Sequence, residues 1–172
     1  VSGLNETAKE RIKLENNLRE AVKNKEFQLF YQPKVDLTTS LITGAEALIR
    51  WNQPGQGMVP PFKFIPVAEE TGLIIDIGRW VLEEACRQNM EWQEKKLNPI
   101  RVAVNVSPRQ FQYPGFHKDL ENALSQSRLA PEYLELEITE SMLMSDIDEV
   151  VKKLQKLADT GLSIAIDDFG TG

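Results

Sequence analysis

The sequence predicts an α/β domain of the β/α-barrel kind, and three observations carry that reading. From the second strand of an opening pair, the pattern runs strand, helix, strand, helix, strand, helix, strand, the alternation that builds a parallel sheet. No strand is followed by the GxGxxG or Walker-type loop that marks many open nucleotide-binding sheets. Side chains able to hold a cation, Glu46, Asn105, Glu137 and the pair Asp167-Asp168, fall at or near the C-terminal ends of four successive strands. In a parallel barrel those ends converge on one rim, so the last observation favours the closed barrel over the open doubly wound sheet.

Each element has its own local signal. Over 7–24, Leu14, Leu18, Ala21 and Val22 form an apolar stripe among Glu, Lys and Arg, the pattern of an amphipathic helix. Residues 1–17 read either as a linker helix from an upstream domain or as a plain N-terminal helix packed on the barrel, and 18–172 as the barrel domain. A strand over 27–36, a turn at 37–40 and a strand over 41–51 form a hairpin, so the first strand runs against the second. The Pro- and Gly-rich stretch 52–61 reads as a loop. Helices follow over 62–71 and 74–96, then a strand over 101–106, a helix over 116–128 and a strand over 133–139. A helix over 146–160 ends at Gly161, before a strand over 162–167.

Composition narrows the functional classes. The chain has 172 residues, 41% hydrophobic and 27% charged, enough for one domain with a core. No run approaches the roughly 18 apolar residues of a membrane span, and no signal peptide is visible. The start at Val1 suggests an excerpt of a longer protein. The net charge of −6, without a basic run, opposes binding to duplex nucleic acid, and a phosphate substrate would need metal ions. The single cysteine, Cys86, reads as a packed helix residue of a protein in the reducing cytoplasm; the single histidine, His117, reads as a surface residue. A parent protein could still be tethered to a membrane through other segments.

Residues two apart in a strand share a face. Glu46, Leu48 and Arg50 therefore point to one side, as do Ala103 and Asn105, then Glu135, Glu137 and Thr139, then Ser163, Ala165 and Asp167. Carboxylates turned into a barrel must be paired, protonated or bound to a cation. All-oxygen donors specify a hard cation, Mg²⁺ or Mn²⁺, with Ca²⁺ as an inhibitory substitute. Asp167 and Asp168 could serve two ions, an arrangement suited to phosphodiester hydrolysis. Any one of these residues alone reads more readily as a cap or turn residue, a reading that the five together disfavour.

The motifs Tyr31-Gln32-Pro33, Glu46-Ala47-Leu48-Ile49-Arg50-Trp51, Asn105-Val106-Ser107-Pro108-Arg109-Gln110-Phe111, Glu137-Ile138-Thr139-Glu140-Ser141 and Asp167-Asp168-Phe169-Gly170-Thr171-Gly172 occur in that order. From about Leu18 to the last residue the chain resembles the EAL domain family. The resemblance implies a TIM-like barrel with a reversed first strand, and a metal-dependent phosphodiesterase that cleaves cyclic di-GMP to linear pGpG in bacterial second-messenger signalling. It implies that Glu46, Asn105, Glu137 and Asp167 hold a first Mg²⁺ or Mn²⁺ and Asp168 a second, with Glu46, Asp167 and Asp168 central to catalysis. It also implies that Gln32 contacts a guanine base, Leu48 lines the pocket and Arg50 contacts phosphate, the favoured role over simply neutralising Glu46. Glu140 would be structural, and Glu135 receives no role.

A complete barrel of this type has about 250 residues and eight strands, of which five are visible here. The expectation is therefore that these residues are part of a longer domain and alone are inactive. The lysine and general-base glutamate that the family takes from its later strands are not assigned. The resemblance further implies a homodimer coupled to metal binding through 168–172, and a GGDEF or sensor domain upstream. Two alternatives stand beside the phosphodiesterase: an inactive cyclic di-GMP receptor or signalling scaffold on the same barrel, and a general nucleotide or sugar-phosphate barrel enzyme.

Overall fold

The computed structural model of the chain describes residues 2–143 and 147–167. A long helix α1 (Ser2–Asn24) leads into strands β1 (Phe27–Val35), β2 (Ile42–Gln53) and β3 (Gly57–Val59). Helices α2 (Pro61–Thr71) and α3 (Leu73–Glu94) follow, then β4 (Arg101–Asn105), α4 (Pro108–Gln112) and α5 (Phe116–Ser127). A 3₁₀ turn (Pro131–Tyr133) precedes β5 (Leu134–Thr139), α6 (Glu140–Leu143), α7 (Ile147–Ala158) and β6 (Ser163–Asp167).

The strands lie in the order β1-β2-β4-β5-β6, with β3 paired to β2. β1 runs antiparallel to β2, and the pairs β2–β4, β4–β5 and β5–β6 are parallel. This is the sheet of a β/α barrel with its first strand reversed, present here as a partial barrel.

The helix-facing side of the sheet is the core. Val102 and Val104 of β4 and Leu134, Leu136 and Ile138 of β5 are fully buried there, against apolar residues of α3 that include Ile77, Leu82 and Ala85. At the β1 end, Trp51 is sealed by Phe27 and Phe64, with ring centroids 6.2 and 5.7 Å away, and its indole N–H donates to Glu26 at 2.9 Å. Cys86 is buried here, and burial pushes its thiol up to about 12, which fits a packing residue rather than a nucleophile. His117 is half-buried and lies 3.2 Å from Glu121.

Three local structures depart from the sequence expectation. The stretch read as a loop over 52–61 contains β3: β2 continues to Gln53, and Gln53 pairs back with Gly57 and Trp51 with Val59. Gly55 and Gly57 adopt φ of 76° and 81°, so the glycines that suggest a loop are what lets the chain reverse within a hairpin. After β4, Ser107 accepts a 3.1 Å hydrogen bond from the Gln110 amide and Pro108 occupies the first turn, which nucleates α4. The helical turn α6 follows β5 without a loop.

Helix α4 is fastened to its neighbours at two glycines. Arg109 Nη1 donates to the carbonyls of Glu69 and Glu70, at 2.6 and 2.9 Å, at the end of α2, where Gly72 caps the helix with φ of 83°. The Gln110 carboxamide fills the notch at Gly78 of α3, where a Cβ would stand 2.3 Å away. Asn89, wholly buried on α3, donates to the carbonyls of Ile100 and Tyr133, both at 3.0 Å, and so anchors the backbone just ahead of β4 and β5.

Helix α1 is continuous across residue 17. Leu18 and Ala21 are fully buried, and Arg11 pairs with Glu70 of α2. No helix among the described residues is long and apolar enough to cross a membrane.

Candidate functional site

The concave face of the sheet carries the polar side chains, with the parity read from the sequence. The apolar residues of β4 and β5 are buried towards the helices, which turns Ala103 and Asn105, and Glu135, Glu137 and Thr139, to the other side. On β2, the buried Ala45, Ala47 and Trp51 likewise leave Glu46, Leu48 and Arg50 on the concave face.

Register sets the levels of these residues. Glu46 stands opposite Gln32 of β1 and beside Ala103 of β4. Asn105 pairs with Glu137, Glu137 with Ala165, and Thr139 with Asp167. The stagger brings Asn105 up to Glu46, and its Nδ2 donates to Glu46 Oε1 at 2.8 Å. Glu137 is 9% exposed. Burial raises its carboxyl above the ordinary glutamate value; Lys34 opposes that shift, and the neighbouring charges of Glu46 and Asp167 add to it. Four predicted ligands, Glu46, Asn105, Glu137 and Asp167, thus lie on one rim, and the fifth, Asp168, lies outside the described residues.

The donor chemistry fits a hard divalent cation. The set is entirely carboxylate and amide, and the buried carboxylate is repelled by two others, a conflict that a cation relieves. Among the described residues, no three of His, Cys, Asp or Glu close into a finished ligand cluster. A lysine ammonium stands on Glu137 instead.

The sequence motifs do not single out that lysine. Lys34 Nζ lies 2.6 Å from Glu137 Oε1 and 3.2 Å from Glu135 Oε1, while Arg101 Nη1 approaches Glu135 Oε2 at 3.6 Å. Burial works against the ammonium, but its hydrogen bonds to Glu137 and Glu135 prevail and hold it above the ordinary lysine value. The available signal was parity, since Lys34 sits two residues after Gln32 on the same strand face.

The predicted substrate residues border the rim on β1 and β2. Gln32 is exposed, and Leu48 and Arg50 are half-buried. Arg50 does not neutralise Glu46: its Nη1 donates to the Ile49 carbonyl at 2.8 Å, and its guanidinium lies 5.5 Å from the centroid of the Phe30 ring. Phe30, 49% exposed on the concave face, is the second residue that the sequence reading passed over. A cavity of about 320 Å³ opens beside Leu48, Arg50 and Asn105 and is lined mainly by apolar residues such as Ile65, Ile74 and Ile77.

Fold and rim together define a β/α-barrel domain whose oxygen donors line the C-terminal ends of its strands. The EAL domain family model matches residues 15–172, and the chain belongs to that family. It is 43% identical over 171 residues to the bifunctional diguanylate cyclase/cyclic di-GMP phosphodiesterase MucR of Pseudomonas aeruginosa, which covers 99% of this chain and 25% of MucR. It is 46% identical over 166 residues to the signaling protein YkoW of Bacillus subtilis, over 95% of this chain and 21% of YkoW. The solved c-di-GMP complex of the PaMucR phosphodiesterase superposes with a TM-score of 0.89 at 44% identity, covering 93% of this chain and 65% of that one. The chain thus spans about a quarter of the length of the curated relatives it matches.

Proposed function

We propose that the protein is a metal-dependent phosphodiesterase that hydrolyses cyclic di-GMP to linear pGpG. The observation that carries this reading is the gathering of Glu46, Asn105, Glu137 and Asp167 on one rim, in a chain whose ordered motifs are intact. Mg²⁺ or Mn²⁺ held by those four residues, with Asp168 serving a second ion, would supply Lewis-acid polarisation of the phosphoryl group and an acidified water.

The chain's own residues bind and orient. Arg50 has guanidinium N–H groups beyond the one spent on Ile49, and these can fork onto a phosphate that enters above Phe30. Gln32, exposed opposite Glu46, offers an amide to the edge of a guanine, and Leu48 gives the base an apolar wall. Asn105 fixes the Glu46 carboxylate through its 2.8 Å hydrogen bond. Residues 1–17 would link to an upstream GGDEF or sensor domain, the protein would act in the cytoplasm, and 168–172 would take part in a homodimer.

The test is hydrolysis of cyclic di-GMP in Mg²⁺ or Mn²⁺ by the full-length protein, read by chromatography against a chelator control. Metal-dependent pGpG is expected, and its loss in Glu46→Ala and in Asp168→Asn. Undiminished turnover in either variant overturns the ligand assignment. One observation favours a second reading, a receptor that binds cyclic di-GMP without cleaving it: Lys34 already stands on Glu137. Binding in equilibrium dialysis with no pGpG at any metal concentration would select that reading.

A further inference from the structure

Lys34 reaches the rim by a prepared route. It belongs to β1, yet its ammonium lies on β5, on the far side of β2 and β4. Its register partner on β2 is Gly44, where a Cβ would stand 3.0 Å from the Arg101 carbonyl and in ordinary contact, at 3.8 Å, with the Lys34 Cδ. Gly44 shares the concave face with Glu46, and the small Ala103 occupies that face on β4. The absence of bulk at these positions leaves space for a lysine stem to cross two strands.

The two carboxylates at the end of that route are not equivalent. Glu135 has a cation near each oxygen, Lys34 at 3.2 Å and Arg101 at 3.6 Å. Glu137 lies higher on β5, pairs across with Asn105 and feels the charges of Glu46 and Asp167. Its short 2.6 Å contact with Lys34 places a positive charge on the buried carboxylate that the rim most needs to neutralise.

Resting on the metal reading above, we infer that Lys34 is the resident counter-ion of the cation site: it holds Glu137 until a divalent cation arrives, and Glu135 then retains it. Lys34 and Glu135 are positioning residues that set cation affinity, and Glu135, to which the motifs assign no role, is the place where the ammonium stays. The two substitutions therefore act in opposite directions. Removing Lys34 frees Glu137 and takes away a like charge, so the cation binds more tightly. Neutralising Glu135 leaves Lys34 with Glu137 as its only carboxylate partner in this pair, so the cation binds more weakly.

The experiment is calorimetric titration of the full-length protein with Mn²⁺, without substrate, for the parent, Lys34→Met, Lys34→Arg and Glu135→Gln, with circular dichroism as the check on folding. The expected results are about tenfold tighter binding in Lys34→Met and about fivefold weaker binding in Glu135→Gln, with Lys34→Arg closer to the parent than to Lys34→Met. In the double variant Lys34→Met/Glu135→Gln, most of the Glu135 effect disappears, because it acts through Lys34. Unchanged or weaker binding in folded Lys34→Met, or unchanged or tighter binding in Glu135→Gln, overturns the inference while the metal reading stands. Should Lys34→Met fail to fold, the near-isosteric Glu135→Gln decides alone. A full-length parent protein that binds no Mn²⁺ overturns the metal reading and this inference together.

Discussion

The two faces of β5 are built on opposite rules. Leu134, Leu136 and Ile138 are at most 1% exposed and pack into the helical layer, whereas Glu135, Glu137 and Thr139 alternate with them on the concave side. The apolar face draws its stability from area removed from water, which needs neighbours of suitable volume and no particular partner. The polar face depends on specific atoms, and its cation comes from Lys34, 101 and 103 residues away in sequence from the two glutamates it binds. One six-residue strand thus carries both the fold and the candidate chemistry, and the two can be separated by substitution.

The sharpest separation pairs neighbouring positions. Leu136→Ala is expected to cost about 2–5 kcal/mol, read as a lower denaturant midpoint, because it opens a cavity in the helix-facing core. Glu137→Gln should change stability far less than that and abolish the gain in Tm produced by Mn²⁺. A loss of stability in Glu137→Gln as large as that of Leu136→Ala would break the distinction.

Asn89→Ala tests a polar group that serves the core. Leaving the Ile100 and Tyr133 carbonyls without their buried donor is expected to cost about 1–3 kcal/mol in the same unfolding measurement. Gly78→Ala should cost about 1–3 kcal/mol by driving a methyl into the Gln110 carboxamide. Replacing Gln110 with Ala in that background should recover part of the loss, and a larger loss in the double variant would contradict the notch.

The smallest effect lies outside both faces, at the tip of the β1–β2 hairpin. Asp36 accepts hydrogen bonds from the Thr39 and Thr38 amides and the Thr39 hydroxyl, which hold its carboxyl below the ordinary aspartate value. A carboxyl lowered in the folded state stabilises the fold above its unfolded value and loses that contribution as the pH falls through the folded one. Asp36→Asn should therefore narrow its stability deficit below the ordinary aspartate range. Acid titration of Tm for both proteins checks this, and a constant difference down to acid pH would refute it.

Features set by spacing along a single element are legible before the chain folds. The period-two alternation of β2, β4, β5 and β6 assigned each side chain to the core or the concave face, and the strand-helix order implied the parallel sheet, because side-chain direction within a strand is local backbone geometry. The ordered motifs identified the family. Even locally, Gly55 and Gly57 could be read as loop or hairpin, since a positive φ permits both and only the pairing of Trp51 with Val59 chose between them. Which atoms meet across the sheet follows instead from the packing of distant strands. Lys34 crosses two strands to Glu137, Arg50 turns to Phe30 rather than Glu46, and Asn105 rises to Glu46. Those meetings depend on the stagger between strands and on gaps such as Gly44, quantities that exist only once distant segments lie side by side.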